Sequence, residues 1–207
     1  ALHLDHGNSF EQVIQCIGRG FTSVMIDWSK HPLEENIRVT NQILQVARPL
    51  DVSVEAELGK IGGTEDNVVV SEREASFTDP DEAAYFVKET GIRSLAVAIG
   101  TAHGQYKGEP KLDFDRLTTI KEKVGIPIVL HGSSGVPDAA LKEAIARGVR
   151  KINIDTNLRE AFTDGVREVL AEKPNEIDPR TILGPARDKM QARVVEKIRI
   201  FGSNGKA

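Results

Sequence analysis

Six short β-branched runs, at 2–6, 23–27, 52–58, 94–99, 126–131 and 151–154, alternate with longer stretches of helical apolar period, at 9–19, 32–47, 81–89, 114–123, 138–146 and 157–171. That alternation is the mark of repeated βα units and a parallel sheet. With helices needed to cover each strand, the chain must form one α/β layer system, either a closed barrel or an open sheet. Glycines stand between helix and next strand at Gly20, Gly91, Gly125 and Gly148, where a left-handed helix end is expected. Ser9 ahead of Glu11 and Gln12, and the run Asp79-Pro80-Asp81-Glu82, read as helix starts. A C-terminal helical extension is expected over about 179–201, its amphipathic stretch at 185–200 following a Pro-bearing connector. No domain-sized linker interrupts residues 1–207, which read as a single (β/α) barrel domain. A TIM (β/α)8 barrel is the favoured closure, but such barrels take about 250 residues. Only six units are countable, so the barrel is expected to lack its first two βα units in this chain, with a further segment before Ala1; the alternative is an open sheet.

Composition removes several functions. Lys and Arg number 27 against 31 Asp and Glu, a formal charge of -4, which leaves no basic surplus for a phosphate backbone. Nucleic acid is therefore not an expected partner. The single cysteine, Cys16, excludes an internal disulfide framework and a Cys-rich zinc site, and favours a cytoplasmic location. The longest apolar runs, such as 94–99, fall far short of the roughly 20 residues of a membrane helix, so no membrane partner is expected.

Chemistry concentrates at the ends of the strands. Two long connectors, 59–78 and 100–111, follow strands on the face where a barrel carries its active site, and their Gly and charge content makes them lid candidates. His6, His103 and His131 each end a strand or follow one directly. Three imidazoles converging from separate strands can hold a catalytic zinc and leave a position open. Read one at a time, each is an ordinary rim histidine. His3 and His31 are read as structural, with His3 facing the opposite side of its strand from His6. Carboxylates crowd the same rim: Asp5, Asp27, Glu57, and Glu65 with Asp66 in the long loop. Beside a metal such groups can work as general acids or bases. For Asp66 a solvated loop charge is the plainer reading. Gly132-Ser133-Ser134-Gly135 and Asn153-Ile154-Asp155-Thr156 resemble phosphate cradles at helix N-termini, with Lys107 and Arg159 to add positive charge.

Taken together, these segments resemble a known family. Leu2-His3-Leu4-Asp5-His6-Gly7, Ser23-Val24-Met25-Ile26-Asp27, Glu55-Ala56-Glu57-Leu58-Gly59 with Gly62-Gly63 and Glu65-Asp66, Gly100-Thr101-Ala102-His103-Gly104 with Tyr106-Lys107, Leu130-His131-Gly132-Ser133-Ser134-Gly135, and Lys151-Ile152-Asn153-Ile154-Asp155-Thr156 look like class II, metal-dependent fructose-bisphosphate and ketose-bisphosphate aldolases. Six motifs in one order make the resemblance far more specific than any one of them.

It implies a zinc enzyme of carbohydrate metabolism, glycolysis above all, that cleaves a ketose 1,6-bisphosphate, typically fructose 1,6-bisphosphate, to dihydroxyacetone phosphate and glyceraldehyde 3-phosphate. By the same resemblance His6, His103 and His131 hold the zinc, while Asp27 and Glu57 match a second or alternative divalent position. Asp5 matches the acid that handles the hydroxyl proton, and Glu65 matches the mobile-loop base. Gly104, Lys107, Gly132, Ser133, Ser134, Asn153, Ile154, Asp155 and Thr156 match the sugar-phosphate site, with a monovalent cation nearby. Arg159 resembles the arginine that reaches the far phosphate from a neighbouring subunit of a homodimer or homotetramer.

Departures from the family pattern bear on the substrate. Trp28 stands where a small residue is common, and Asn157 where fructose-bisphosphate members often carry Asp. Asp155 argues against tagatose-bisphosphate members, whereas the Phe201-Gly202-Ser203-Asn204 tail has some likeness to them. The alternatives are therefore tagatose 1,6-bisphosphate or a deoxy-ketogluconate phosphate, or a truncated, non-catalytic barrel fragment. A Schiff-base lysine aldolase would have to use Lys151, the one strand-associated lysine, which is expected to lie at the strand's start, away from the rim.

Overall fold

The alternation resolves into β1 His3–Gly7, β2 Ser23–Ile26, β3 Ser53–Leu58, β6 Ser94–Val97, β8 Ile128–Leu130 and β9 Val149–Ile152, interleaved with α1 Phe10–Gly18, α2 Leu33–Ala47, α3 Pro80–Thr90, α4 Phe114–Val124, α5 Asp138–Ala146 and α6 Thr156–Glu172. The structure is a computed structural model that describes residues 1–65, 68–70, 76–104, 108 and 110–206, the side chains of 63–65 and 68–70 excepted. The six strands pair in parallel in the order β1-β2-β3-β6-β8-β9, a parallel α/β half-barrel.

Local chemistry fixes the ends of the helices. Ser9 Oγ accepts from the Gln12 N–H at 3.1 Å, and the Asp79 carboxylate accepts from the N–H groups of Asp81 and Glu82 at 2.8 and 3.0 Å. Each satisfies donors that the first helical turn leaves orphaned. The four glycines expected after helices all have positive φ.

One expectation is corrected here. The last strand begins at Val149 rather than Lys151, because Val149 is fully buried although Arg150 and Lys151 interrupt the apolar run. The helical extension expected over about 179–201 is present. The final helix, α7 Pro179–Ile200, starts on the same Asp-Pro signal as α3, with Asp178 accepting from the Arg180 N–H at 2.9 Å, so Pro185 lies within it. This helix crosses α6 closely, since a Cβ on Gly165 would come within 2.6 Å of Ala186 Cα. Lys197 on α7 also bonds Asp138 at the start of α5 at 3.1 Å.

The core is divided by the sheet. Val24, Ile26, Val54, Leu95, Val97, Ile128 and Leu130 pack outward against Val13, Ile43, Phe86, Leu117, Ile120 and Leu141 of the helices. Burying each such side chain is worth about 1.5–3 kcal/mol. On the inner face, among the described residues, Met25, Ala96 and Val129 form a small apolar cluster. Strand register explains what surrounds it: Met25 pairs with Glu55, Glu57 with Ala96, Ala96 with Val129 and Val129 with Lys151. Parallel partners share a face, so the inner face of this sheet is largely polar.

The two long connectors also differ from expectation in carrying strands of their own. β4 Gly62–Glu65, β5 Val68–Val70 and β7 Ala102–His103 make a small sheet ordered β5-β4-β7, in which Gly63 pairs with His103. His103 therefore sits on a strand of this second sheet, rather than directly after a strand of the main one.

Candidate active site

Strand β1 would place His3 and Asp5 on one face and His6 on the other if its alternation were regular. A register shift between Leu4 and Gly7, with His6 at φ 43, breaks the alternation. A bulge of this kind re-aims the side chain, and a left-handed backbone at a non-glycine residue costs on the order of 1–3 kcal/mol. As a result His3 and His6 both join the inner polar network. This corrects the expectation that they face opposite sides.

The rings of His6, His103 and His131 converge. Their centroids lie 5.1 Å (His6 to His103), 4.6 Å (His6 to His131) and 6.0 Å (His103 to His131) apart. One ligand atom from each lies within 4.8 Å of the others. Gly132 permits the approach. Its φ is 62°, and a Cβ there would stand 2.5 Å from the Ala102 carbonyl oxygen, so any side chain would force residues 102 and 132 apart.

Carboxylates hold the rings from behind. His6 Nδ1 donates to Asp27 Oδ2 at 3.0 Å, which leaves the lone pair on Nε2. Burial alone would raise the Asp27 carboxyl, but the bonds from His6 and Ser29 outweigh it and hold it at about 2. His131 Nε2 donates to Glu55 Oε1 at 3.0 Å. Burial pushes His131 below its ordinary value against the pull of Glu55, favouring the neutral ring that a metal needs. Glu57, 2% exposed, is raised well above the ordinary carboxylate range by burial and by the nearby Asp27. It forms a second ligand group with His6 and Asp27.

The remaining expected site residues surround this centre. Asp5 is exposed on β1 and accepts from Asn153 Nδ2 at 2.9 Å. A cavity of about 390 Å³ is lined by Gly104, Ser134, Thr156, Asn157 and Glu160 among others. Ser134 Oγ accepts from the N–H groups of Asp155 and Asn157 at 3.3 and 3.4 Å, in the turn from Ile154 into α6. Ser133 turns its buried hydroxyl onto the carbonyls of Leu130 and His131. Arg159 pairs with Asp155 at 2.8 Å on the rim. Glu65 ends β4, but its side chain, like Asp66 and Lys107, lies outside the described residues. Trp28 packs on the helix-side core and stacks on His31, with ring centroids 4.4 Å apart.

Sequence reasoning assigned no role to Glu55 and placed Lys151 away from the chemistry. Both are interior. Lys151 Nζ donates to the two Glu55 oxygens at 2.9 and 3.1 Å and lies 3.3 Å from His3 Nε2. The available signal was a pair of glutamates two apart in an otherwise apolar strand, which places both on the inner face.

Residues 1–206 match the family model described as "Fructose-bisphosphate aldolase class-II". The chain belongs to that family. The aldolase is 53% identical over 207 residues to a fructose-bisphosphate aldolase of Geobacillus stearothermophilus, covering all of this chain and 71% of that protein. It is 46% identical over 207 residues to a sulfofructosephosphate aldolase of Alkalicoccus urumqiensis, covering 72% of that protein. Among solved structures, the YdjI aldolase from Escherichia coli K12 superposes with a TM-score of 0.83 at 40% identity, over 99% of this chain and 70% of that one.

The aldolase's own donor set fits a divalent metal. His131 Nδ1 and Glu57 Oε2 are buried with no hydrogen-bond partner among the described residues. Orphaned buried acceptors are costly unless a ligand satisfies them. Since His131 Nε2 is committed to Glu55, Nδ1 is the atom that carries its lone pair inward. No helix among the described residues is long and apolar enough to cross a membrane.

Proposed function

We propose that the chain is a zinc-dependent aldolase that cleaves fructose 1,6-bisphosphate reversibly to dihydroxyacetone phosphate and glyceraldehyde 3-phosphate. The observation that carries the reading is the convergence of His6, His103 and His131, each offering one ligand atom within 4.8 Å of the others. A divalent metal held there would supply Lewis-acid stabilisation of the negative charge left on the ketone fragment.

The chain's own groups then divide the proton work. Asp5, oriented by Asn153, takes the proton of the C4 hydroxyl as the C3–C4 bond breaks and its electron pair passes to the ketone fragment. Glu65, at the end of β4, returns a proton to C3 of that fragment. Ser134 and the start of α6 are suited to hold a phosphate, because Ser134, Thr156 and Gly104 line one cavity and a helix N-terminus favours negative charge beside it. Glu57 and Asp27, grouped with His6, supply an alternative divalent position. Arg159, with a side chain 61% exposed, serves the far phosphate of a neighbouring subunit in a homo-oligomer on this reading.

A second reading changes only the aldehyde end. The relative named for sulfofructose phosphate supports a sulfonate in place of the far phosphate, and Asn157 and Glu160 in the cavity lining leave that choice open. The test is cleavage of the phosphates of fructose, tagatose, deoxy-ketogluconate and sulfofructose, each with and without a chelator. The reading expects chelator-sensitive cleavage with the highest kcat/KM for fructose 1,6-bisphosphate. A higher kcat/KM for another of the four would reassign the substrate, and chelator-resistant cleavage would overturn the metal.

A further inference from the structure

Glu55 is buried at 2% exposure in the middle of β3, yet it lies between two groups that both donate to it. His131 Nε2 reaches Oε1 at 3.0 Å, while the Lys151 ammonium reaches Oε1 at 3.1 Å and Oε2 at 2.9 Å. A carboxylate has lone pairs enough for all three contacts. We propose that Glu55, held in place by its ion pair with Lys151, is the positioning residue that locks His131 in the Nε2–H tautomer, so that its Nδ1 lone pair faces His6 and His103. The inference rests on the metal-aldolase reading for its consequence, though not for the tautomer itself.

The argument is one of counting donors and acceptors. A neutral imidazole has one donor nitrogen and one acceptor nitrogen, and the partner of one decides the role of the other. With an ionised carboxylate at Nε2, that nitrogen must donate, and Nδ1 must be the bare one. Lys151 fixes where the carboxylate sits, donating to both of its oxygens. It extends from β9 across the inner face to β3, and its ammonium also lies 3.3 Å from His3 Nε2, whose Nδ1 is 2.7 Å from Ser23 Oγ. Lys151 is thereby committed to an ion pair with Glu55, which assigns it a positioning role in place of the Schiff-base role its strand position invited.

Replacing Glu55 by glutamine makes the counting discriminating. An amide has one oxygen, and the Lys151 ammonium, which can only donate, claims it. The amide NH2 then faces His131, Nε2 must accept, and the ring proton moves to Nδ1, blocking the ligand atom. Replacing Lys151 by methionine as well frees the amide oxygen to turn back to His131. The two substitutions are thus expected to be non-additive in a specific direction: the second repairs the first.

The experiment reads the tautomers directly. Nitrogen-15 correlation spectra of the histidine rings are taken on the metal-free chain at about pH 8, above the ordinary imidazole range. The native chain and Lys151→Met are expected to show His131 protonated at Nε2, Glu55→Gln at Nδ1, and the double variant at Nε2 again. Co2+ titration of the same four proteins, followed by the visible absorption of the bound ion, is expected to show Glu55→Gln weakened about 10–100-fold, with most of the loss recovered in the double variant. A native chain with the proton on Nδ1 overturns the proposal without recourse to any variant. So does a Glu55→Gln chain that keeps the native tautomer, or a double variant that binds Co2+ no better than Glu55→Gln. Tautomers that follow this scheme in a native chain that binds no Co2+ would instead defeat the metal-aldolase reading and leave the positioning role standing.

Discussion

Asn153 Nδ2 donates to Asp5 Oδ2 at 2.9 Å, joining β9 to β1, two strands at opposite edges of the main sheet that share no backbone ladder. The bond fixes one Asp5 oxygen, and the proposed mechanism uses the other on the C4 hydroxyl. Asp5→Ala is expected to lower kcat for ketose bisphosphate cleavage by about 10²–10⁴, the usual yield of general acid–base catalysis. Co2+ affinity is expected to change little. A parallel loss of metal would show that the substitution disturbs the histidines instead.

His131→Ala removes one of three converging rings and leaves Glu55 without one of its donors. Metal analysis after gel filtration is expected to fall from one equivalent per chain to a small fraction, with cleavage lost in step. Retention of a full equivalent would move the site to His6, Asp27 and Glu57.

Glu57 gives a pH dependence with a definite sign. Its folded-state carboxyl titrates well above the ordinary value because of burial, then because of Asp27. Between the unfolded and folded pKa values the native state holds the extra proton, so stability of the metal-free chain falls as pH rises through that window. The slope approaches about 1.4 kcal/mol per pH unit. Urea unfolding from pH 5 to pH 8 should show that decline, and Glu57→Gln should flatten it. A decline of equal slope in the variant would assign it to other groups.

Gly132→Ala places a methyl 2.5 Å from the Ala102 oxygen at a φ of 62°. Overpacking and left-handed strain together predict a loss of about 1–3 kcal/mol in unfolding free energy. Metal affinity should fall as well, since the methyl drives residue 102, and with it His103, away from His131. Unchanged affinity in a destabilised protein would mean that the small sheet moves without carrying the ring.

The βα order, the six strands and the three histidine ligand candidates were legible because period and strand ends carry that information locally. What was not legible depended on breaks in period. His6 faces inward only through the irregularity between Leu4 and Gly7, which the alternation of side chains cannot express. Lys151 read as a strand start because Arg150 beside it masked the buried Val149. Glu55 went unassigned because its importance lies in partners 76 and 96 residues away, His131 and Lys151.

The ladder between β4 and β7 pairs Gly63 with His103, so the segment that ends in Glu65 and the strand that carries a ligand candidate share one backbone ladder. A shift of β4 along that ladder would reach His103 through its own backbone. In the proposed mechanism, proton delivery and metal grip would then answer to one displacement, passed through the two residues of β7.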